Sequence, residues 1–431
     1  MMRASTIAAI AAIGLATPVT AQNAAPALTG RAHDLIAVLN GTVTPDSLFS
    51  STFLAQIPAE KVTQIGSQLS AAFGKALTVA DLRQVGPNAA KITIAYEHGT
   101  IDMDLVIDTD PPNQIVGWRI HPPSAGTKTP DQAIAALHAF PGKTGFVVAK
   151  LGDGAPRILA GSDTDRPLAI GSAFKLVILA ELVREANAGE RKWSDMVTLD
   201  GRELPGGTYT QMPAGTKVTL LELAQKMISI SDNSATDILL TTLGRAKIEA
   251  MLPVVGVSDP ARNRPYLTTL EMFKIKGTPG GRFTTPWPKL DEAGRRALLK
   301  QVDATPISAL DPQLFKDGKP ILIDAAEWFF SPADLVRVMD WLRKHSESGP
   351  GAEARNILAI NPGIGRSPDN AQWSYLGYKG GSEPGVIAMA FLLQGKDGWY
   401  AINGGWNDPA AAVDVARFAT LIASAVNGLG K

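Results

Sequence analysis

The order of hydrophobic patterns between residues 131 and 427 restricts the fold most. A helical stretch at about 131–140 leads into two strand-like runs, 145–150 and 156–160, with Asp153-Gly154 at the turn between them. Apolar residues at helical spacing then dominate 172–188 and 220–251. Strand-like runs return only at 375–379, 386–394 and 399–403, before a last helix over about 410–427. Period two reads as strand and period 3.6 as helix. Strands at both ends of a stretch with a helical middle imply a mainly antiparallel sheet, its edges supplied by the two ends of the domain. The helical middle must pack beside that sheet as a subdomain.

The residues before this stretch read differently. Met1-Met2-Arg3, an apolar run from about Ile7 to Leu15, and Pro18-Val19-Thr20-Ala21 form a charged start, a short apolar core and a small-residue cleavage site. We expect a signal peptide over residues 1–21, cut after Ala21, and a periplasmic or secreted mature protein. The apolar run is too short to cross a bilayer comfortably, and no second run is long enough, so no membrane span is expected after cleavage. Residues 22–123 read as a small α+β domain. Helical spacing at 32–39 and 59–73 precedes strands in which Ile92, Ile94 and Tyr96, then Ile101, Met103, Leu105 and Ile107, alternate with polar or small residues. Glu97-His98-Gly99 marks a hairpin turn, and Pro111-Pro112-Asn113 a turn before a strand at 115–120. Alternation of this kind predicts helices packed on a half-exposed sheet. Pro122-Pro123-Ser124-Ala125-Gly126 is the expected linker, and 128–431 the second domain.

Composition removes several function classes. Lys plus Arg and Asp plus Glu both number 41, so no excess of cations is available for nucleic-acid phosphates. Cysteine is absent, which excludes disulfides, a lipid-accepting residue and a zinc thiolate site. The five histidines, His33, His98, His121, His138 and His345, lie far apart, and none forms a close-spaced metal pair. No metal or cofactor is expected, and the expected partner is a small-molecule substrate.

Three short motifs carry chemistry. Ser172 and Lys175 are three apart at a helix start and share a face, where the helix N-terminus favours negative charge. A serine hydroxyl needs a base to become nucleophilic, and a lysine serves if burial lowers its pKa. Such a string alone arises about once by chance in a chain of this length. Ser231-Asp232-Asn233 opens a helix after the apolar run 220–230. These are also the favoured capping residues. Functionally, Ser231 supplies a hydroxyl that shuttles a proton, and Asn233 an amide for substrate or for Lys175. Tyr378-Lys379-Gly380-Gly381-Ser382 lies at the end of a strand, with glycines where another backbone can approach closely. A polar hairpin turn is the competing reading of those residues. In the functional reading Lys379 attracts a substrate carboxylate, and the Ser172 and Ser382 N–H groups form an oxyanion hole.

Taken in order, Ser-x-x-Lys, Ser-Asp-Asn and Lys-Gly-Gly resemble the motif trio of penicillin-recognising serine enzymes. Gly171 to Leu176 and Ser231 to Leu240 are similar to the nucleophile helix and the second motif of class A β-lactamases. The resemblance covers about 131–430. It implies an antiparallel sheet with flanking helices plus a helical subdomain, with the site between them. Ser172, Lys175, Ser231 and Lys379 would be catalytic, and Asn233, Gly381 and Ser382 would bind substrate or form the oxyanion hole. More narrowly, the whole chain is similar to the two-domain branch of the family, the architecture of the clavulanate-biosynthesis hydrolase. There an N-terminal domain has a cystatin-like or steroid-isomerase-like helix-on-curved-sheet fold.

Three departures from the family pattern stand out. No Glu-x-x-x-Asn string, which positions the deacylating water in class A enzymes, occurs between the second and third motifs. Glu271, Glu327 and Glu383 are substitutes for that base by region only, and surface or structural carboxylates, solvated at a strand edge for Glu383, are the competing reading. Gly380 stands where many relatives have a hydroxyl residue. A Gly-, Pro- and Lys-rich segment, about 263–325, lengthens the gap before Ser331-Pro332 and is expected to form a lid or a dimer contact. The expected function is β-lactam hydrolysis through an acyl-enzyme on Ser172, with slow deacylation. An esterase or amidase of β-lactam-like or peptidoglycan-related substrates, and a catalytically weak ligand-binding homologue, are the alternatives.

Overall fold

The computed structural model describes residues 26–97, 99–120, 128–365 and 368–429. The expected signal peptide, the linker at 122–126, and His98 and His121 lie outside the described residues. The chain forms two compact units that divide after Ala125.

The first unit contains α1 (Pro26–Leu39), α2 (Ser51–Gln56), α3 (Ala59–Phe73), β1 (Ala76–Gly86), β2 (Ala89–Tyr96), β3 (Gly99–Ile107) and β4 (Ile115–Ile120). The strands form one antiparallel sheet in the order β1-β2-β3-β4. Ile94 pairs with Ile101, and Ile92 with Met103. All four are buried in one core with Leu28, Ala32 and Leu35 of α1. The opposite face carries polar cross-strand pairs, with the Thr93 hydroxyl donating to Asp102 at 2.6 Å. Period two thus sorts apolar and acidic residues onto the two faces of β3, as the sequence predicts. The structure adds β1, which the sequence pattern does not reveal.

The second unit runs α4 (Pro130–Leu137), β5 (Lys143–Leu151), β6 (Arg157–Ser162), β7 (Leu168–Ala169) and α5 (Lys175–Asn187). The helical middle follows, with β8 (Met196–Thr198), β9 (Lys217–Thr219), α6 (Leu220–Ser229), α7 (Asn233–Leu243), α8 (Arg245–Val254), α9 (Thr269–Gly277) and α10 (Glu292–Asp303). Last come β10 (Phe329–Phe330), α11 (Pro332–His345), α12 (Glu353–Ala359), β11 (Tyr375–Glu383), β12 (Val386–Gly395), β13 (Gly398–Asn407) and α13 (Val415–Gly428). The main sheet has the order β11-β12-β13-β5-β6 with every neighbouring pair antiparallel, so its strands do come from both ends of the unit. Ala388, Ala390 and Leu392 of β12 pack with α5 and α11 in one core. Ile387, Met389, Phe391 and Leu393 pack with Phe418 and Ile422 of α13 in a second core on the other face. Helix α5 is buried from Lys175 to Val183 on all sides, which is why its sequence is apolar all round. No described helix is long and apolar enough to cross a membrane.

Two local expectations change. Ser172 lies on a 3-10 turn, Gly171–Phe174, and the α-helix begins only at Lys175. Strand β11 continues to Glu383, so Lys379-Gly380-Gly381 lies inside the strand and the hairpin turn follows it. Segment 263–325 is built of regular elements. It holds α9, α10 and several 3-10 turns, and it buries Phe283 and Trp287 in the main core.

Candidate active site

The site is built where the β7 end turns into α5. Strand β7 is short and is fixed by side chains and neighbours. Asn407 Oδ1 accepts from the Ala169 N–H at 2.7 Å, its Nδ2 donates to the Ala169 carbonyl at 3.0 Å, and the Ile170 N–H donates to the Trp328 carbonyl at 3.0 Å. Gly171, at φ +47°, then reverses the chain. Beyond it Phe174 stacks on Trp328 with ring centroids 3.6 Å apart, and its carbonyl accepts the Tyr266 hydroxyl at 2.7 Å. Ser172 is therefore half-buried on a turn with both flanks anchored.

Strand β11 lies directly against this turn. A Cβ added to Gly381 would sit 2.2 Å from Ser172 N and 2.3 Å from the Ile170 carbonyl oxygen. A Cβ on Gly171 would meet Ser382 N at 3.0 Å. Only backbones without side chains reach this separation, and the contact brings the Ser172 and Ser382 nitrogens together. Two N–H donors brought this close can stabilise a tetrahedral oxyanion if both point at one oxygen.

Lys175, one turn after Ser172, is fully buried. Its Nζ donates to the Ser231 carbonyl at 2.8 Å, to Ser231 Oγ at 3.1 Å and to Asn233 Oδ1 at 2.7 Å. Ser231 reaches this position between α6 and α7 in a left-handed conformation, φ +56°, which costs a non-glycine residue energy and recurs at functional sites. Between them Asp232 caps α7, accepting from Ala235 N at 2.8 Å and from the Ser234 hydroxyl at 2.6 Å. Both readings of Ser-Asp-Asn are thus realised: the middle residue caps, and its neighbours turn to Lys175.

From the other side, Lys379 Nζ donates to Ser231 Oγ at 3.0 Å and to the Gly380 carbonyl. One serine hydroxyl therefore joins two buried lysines. Burial lowers the Lys175 pKa to about 7, against the opposing charges of Asp237 and Asp232. Burial, and the neighbouring Lys175 charge, push Lys379 well below its ordinary value. Two ammonium groups on one hydroxyl, away from water, favour release of a proton, and a neutral lysine is a base.

Asp237 was not singled out from the sequence, although it lies four residues after Asn233 on the same helical face. It is fully enclosed, and burial raises its pKa to about 6, against the N–H donors of Leu270 and Thr269. Those donors open α9, at 2.9 Å and 2.7 Å, so Asp237 links the second motif to segment 263–325.

The three candidate glutamates are all engaged elsewhere. Glu271 completes a capping box with Thr268 at the start of α9 and pairs with Arg245 at 2.6 Å. Glu327 and Glu383 both bind Lys276 Nζ, at 2.6 Å and 2.5 Å. The side chains of Lys276 and Glu327 are 0% exposed and that of Glu383 is 9% exposed, so Glu383 is not a solvated carboxylate at a strand edge. Burial, then the Glu327 charge, raise the Glu383 pKa well above the usual carboxylate value. The two carboxyl charges hold the Lys276 ammonium in its charged form against burial, and burial favours the protonated form of Glu383. Glu383 shares the β11 face of Lys379 and Gly381, so the cluster ties the strand carrying Ser382 to α9.

Residues 129–290 match the family model described as the beta-lactamase enzyme family. No curated protein matches the chain's sequence significantly. Solved structures similar to this one include a β-lactamase from Sphaerobacter thermophilus, at 18% identity and TM-score 0.46, covering 69% of this chain and 94% of that one. A mutant of PBP-A in an acyl-enzyme complex with penicillin G has 16% identity and TM-score 0.46, with the same coverages. A β-lactamase from Chitinophaga pinensis has 15% identity and TM-score 0.44, again over 69% of this chain and 94% of that one. Residues 129–290, which hold Ser172, Lys175, Ser231 and Asn233, are therefore similar to the beta-lactamase enzyme family, and the unit that contains them is a mixed fold of helices on an antiparallel sheet.

Proposed function

We propose that this protein is a serine hydrolase that forms an acyl-enzyme on Ser172 and opens β-lactams. The observation that carries this reading is the single hydroxyl of Ser231 held between Lys379 and Lys175, the lysine one turn after Ser172. Neutral Lys175 takes the Ser172 proton, and Oγ attacks the lactam carbonyl carbon. The oxygen becomes an oxyanion facing the Ser172 and Ser382 N–H groups. As the C–N bond breaks, the leaving nitrogen takes the Ser231 proton, which the protonated lysine on that hydroxyl restores. Asn233 fixes Lys175 and presents its amide N–H₂ to the substrate.

Clearing the ester needs a water and a base. Glu271 is occupied in a cap and an ion pair, and Glu327 and Glu383 by Lys276. With the glutamates engaged, that step falls to the lysines already used in acylation, so deacylation limits turnover. The same observation favours a second reading, an esterase or amidase whose activated esters acylate easily. Stopped-flow hydrolysis of a chromogenic cephalosporin tests both. A burst equal to the enzyme concentration, followed by a slow phase, and neither in Ser172→Ala, is expected. Fast linear turnover lost in one Glu→Gln variant would instead assign the base to that glutamate.

Two finer points belong to the same reading. The catalytic unit is of class A type, preceded by a cystatin-like N-terminal domain. The mature protein is exported, starting near Gln22 in the periplasm or medium. N-terminal sequencing of exported protein checks the second; a chain that keeps residues 7–15 in the membrane fraction contradicts it.

A further inference from the structure

Lys379 turns inward: it is 2% exposed, and its Nζ serves Ser231 and Gly380. A substrate lying along the unpaired edge of β11 must find its direct donors elsewhere. Tyr378 meets that need. It shares a face of β11 with Gly380, two residues on. A Cβ on Gly380 would lie 2.0 Å from the Tyr378 hydroxyl oxygen, so the phenol occupies the side-chain position of residue 380. The ring is clamped on two sides. Phe391 packs against it with centroids 4.8 Å apart. Gly363, at φ +72°, lies so close that a Cβ there would be 2.5–2.6 Å from three ring carbons. The ring cannot swing, and its hydroxyl makes no hydrogen bond to another described residue.

We propose that the Tyr378 hydroxyl is a specificity-determining donor that receives the carboxylate of an anionic acyl donor at the free edge of β11. Burial raises the phenol pKa above its ordinary value, so the group remains a neutral donor at physiological pH. A donor already fixed by its ring loses little freedom when the carboxylate arrives, and a hydrogen bond to a charged acceptor is among the stronger kinds. The position of Gly380 follows from the same geometry: any side chain there displaces the phenol.

The inference rests on the acyl-enzyme reading of this site, and the test separates the two. Benzylpenicillin and its methyl ester differ only in the carboxylate. Their equilibrium binding is measured by calorimetry in the Ser172→Ala background, with and without Tyr378→Phe. The phenylalanine keeps the contacts to Phe391 and Gly363, and an unchanged unfolding midpoint shows that it does. The ratio of benzylpenicillin affinity to ester affinity is expected to fall about tenfold in Tyr378→Phe. An unchanged ratio, or an equal loss for both ligands, overturns the role of the hydroxyl. A separate mass measurement follows acylation of the protein with Ser172 intact. If no acyl group is gained while the ratio still falls, the acyl-enzyme reading fails and the Tyr378 assignment stands. If neither ligand binds, both fail.

Discussion

Two substitutions in the buried Lys276–Glu327–Glu383 cluster are expected to differ widely in cost. Lys276→Met removes the cation that two buried carboxyls share. Removing one partner of a buried ion pair costs about 3–5 kcal/mol, because the charge left behind has neither water nor a counter-ion. Glu383→Gln instead replaces a protonated carboxyl by a neutral amide of the same shape. Its carbonyl still accepts from Lys276, so the cost at neutral pH is within about 1 kcal/mol. The pH dependence has a definite sign. Glu383 is raised above its ordinary value of 4.5, so above that pH the folded state binds a proton that the unfolded chain has released. Stability is greatest below the unfolded value and falls as pH rises toward the folded one, by about 1.4 kcal/mol per unit for one such group. Glu383→Gln removes this slope. Lys276→Met keeps it and extends it to higher pH, because the charge that lowers the Glu383 pKa is gone. Urea unfolding at about pH 5.5, 7 and 8.5 measures both effects. If Glu383→Gln costs as much as Lys276→Met and leaves the slope unchanged, Glu383 is ionised in the folded protein and the proton count of the cluster is wrong.

Other expectations address the reaction itself. Gly381→Ala forces a Cβ to within 2.2 Å of Ser172 N, so acylation should fall at least about 100-fold, as when an oxyanion donor is lost. Near-unchanged circular dichroism would locate the damage in the site, and full activity would remove the oxyanion assignment. With Lys175 as base at a pKa of about 7, the acylation rate should rise about tenfold per pH unit below that value and level off above it. A profile flat from about pH 5 to 9 would assign the base elsewhere. Asp237→Asn removes a charge that holds the Lys175 pKa up, so the midpoint of that profile should move to lower pH.

Much of the site is legible in the sequence because the chemistry demands particular residue types at short spacing. Ser172 with Lys175, and Ser231 with Asn233, are local pairs, and both meet at Lys175 Nζ. Helix α3 and strand β4 coincide with their sequence-predicted bounds: α3 carries an apolar stripe at helical spacing, and β4 is set off by the turn at Pro111-Pro112-Asn113. Strand β1 is hidden for a physical reason: its pairing with β2 shifts register at three places, and each shift breaks the alternation by which a strand is recognised. The state of Glu383 depends on Lys276, distant in sequence, and spacing along the chain carries no trace of such a contact. Tyr378 looks like an ordinary strand aromatic until Gly363 and Gly380 are seen around it.

The acyl group on Ser172 is tested most directly by mass spectrometry. The protein is incubated with benzylpenicillin, quenched in acid and digested, and the peptides are mapped. The mass of the opened lactam is expected on the peptide that contains Ser172, with fragment ions placing it on that residue, and nowhere in Ser172→Ala. An adduct on another residue, or an unmodified Ser172 after exposure to penicillins, cephalosporins and activated esters alike, would contradict the mechanism.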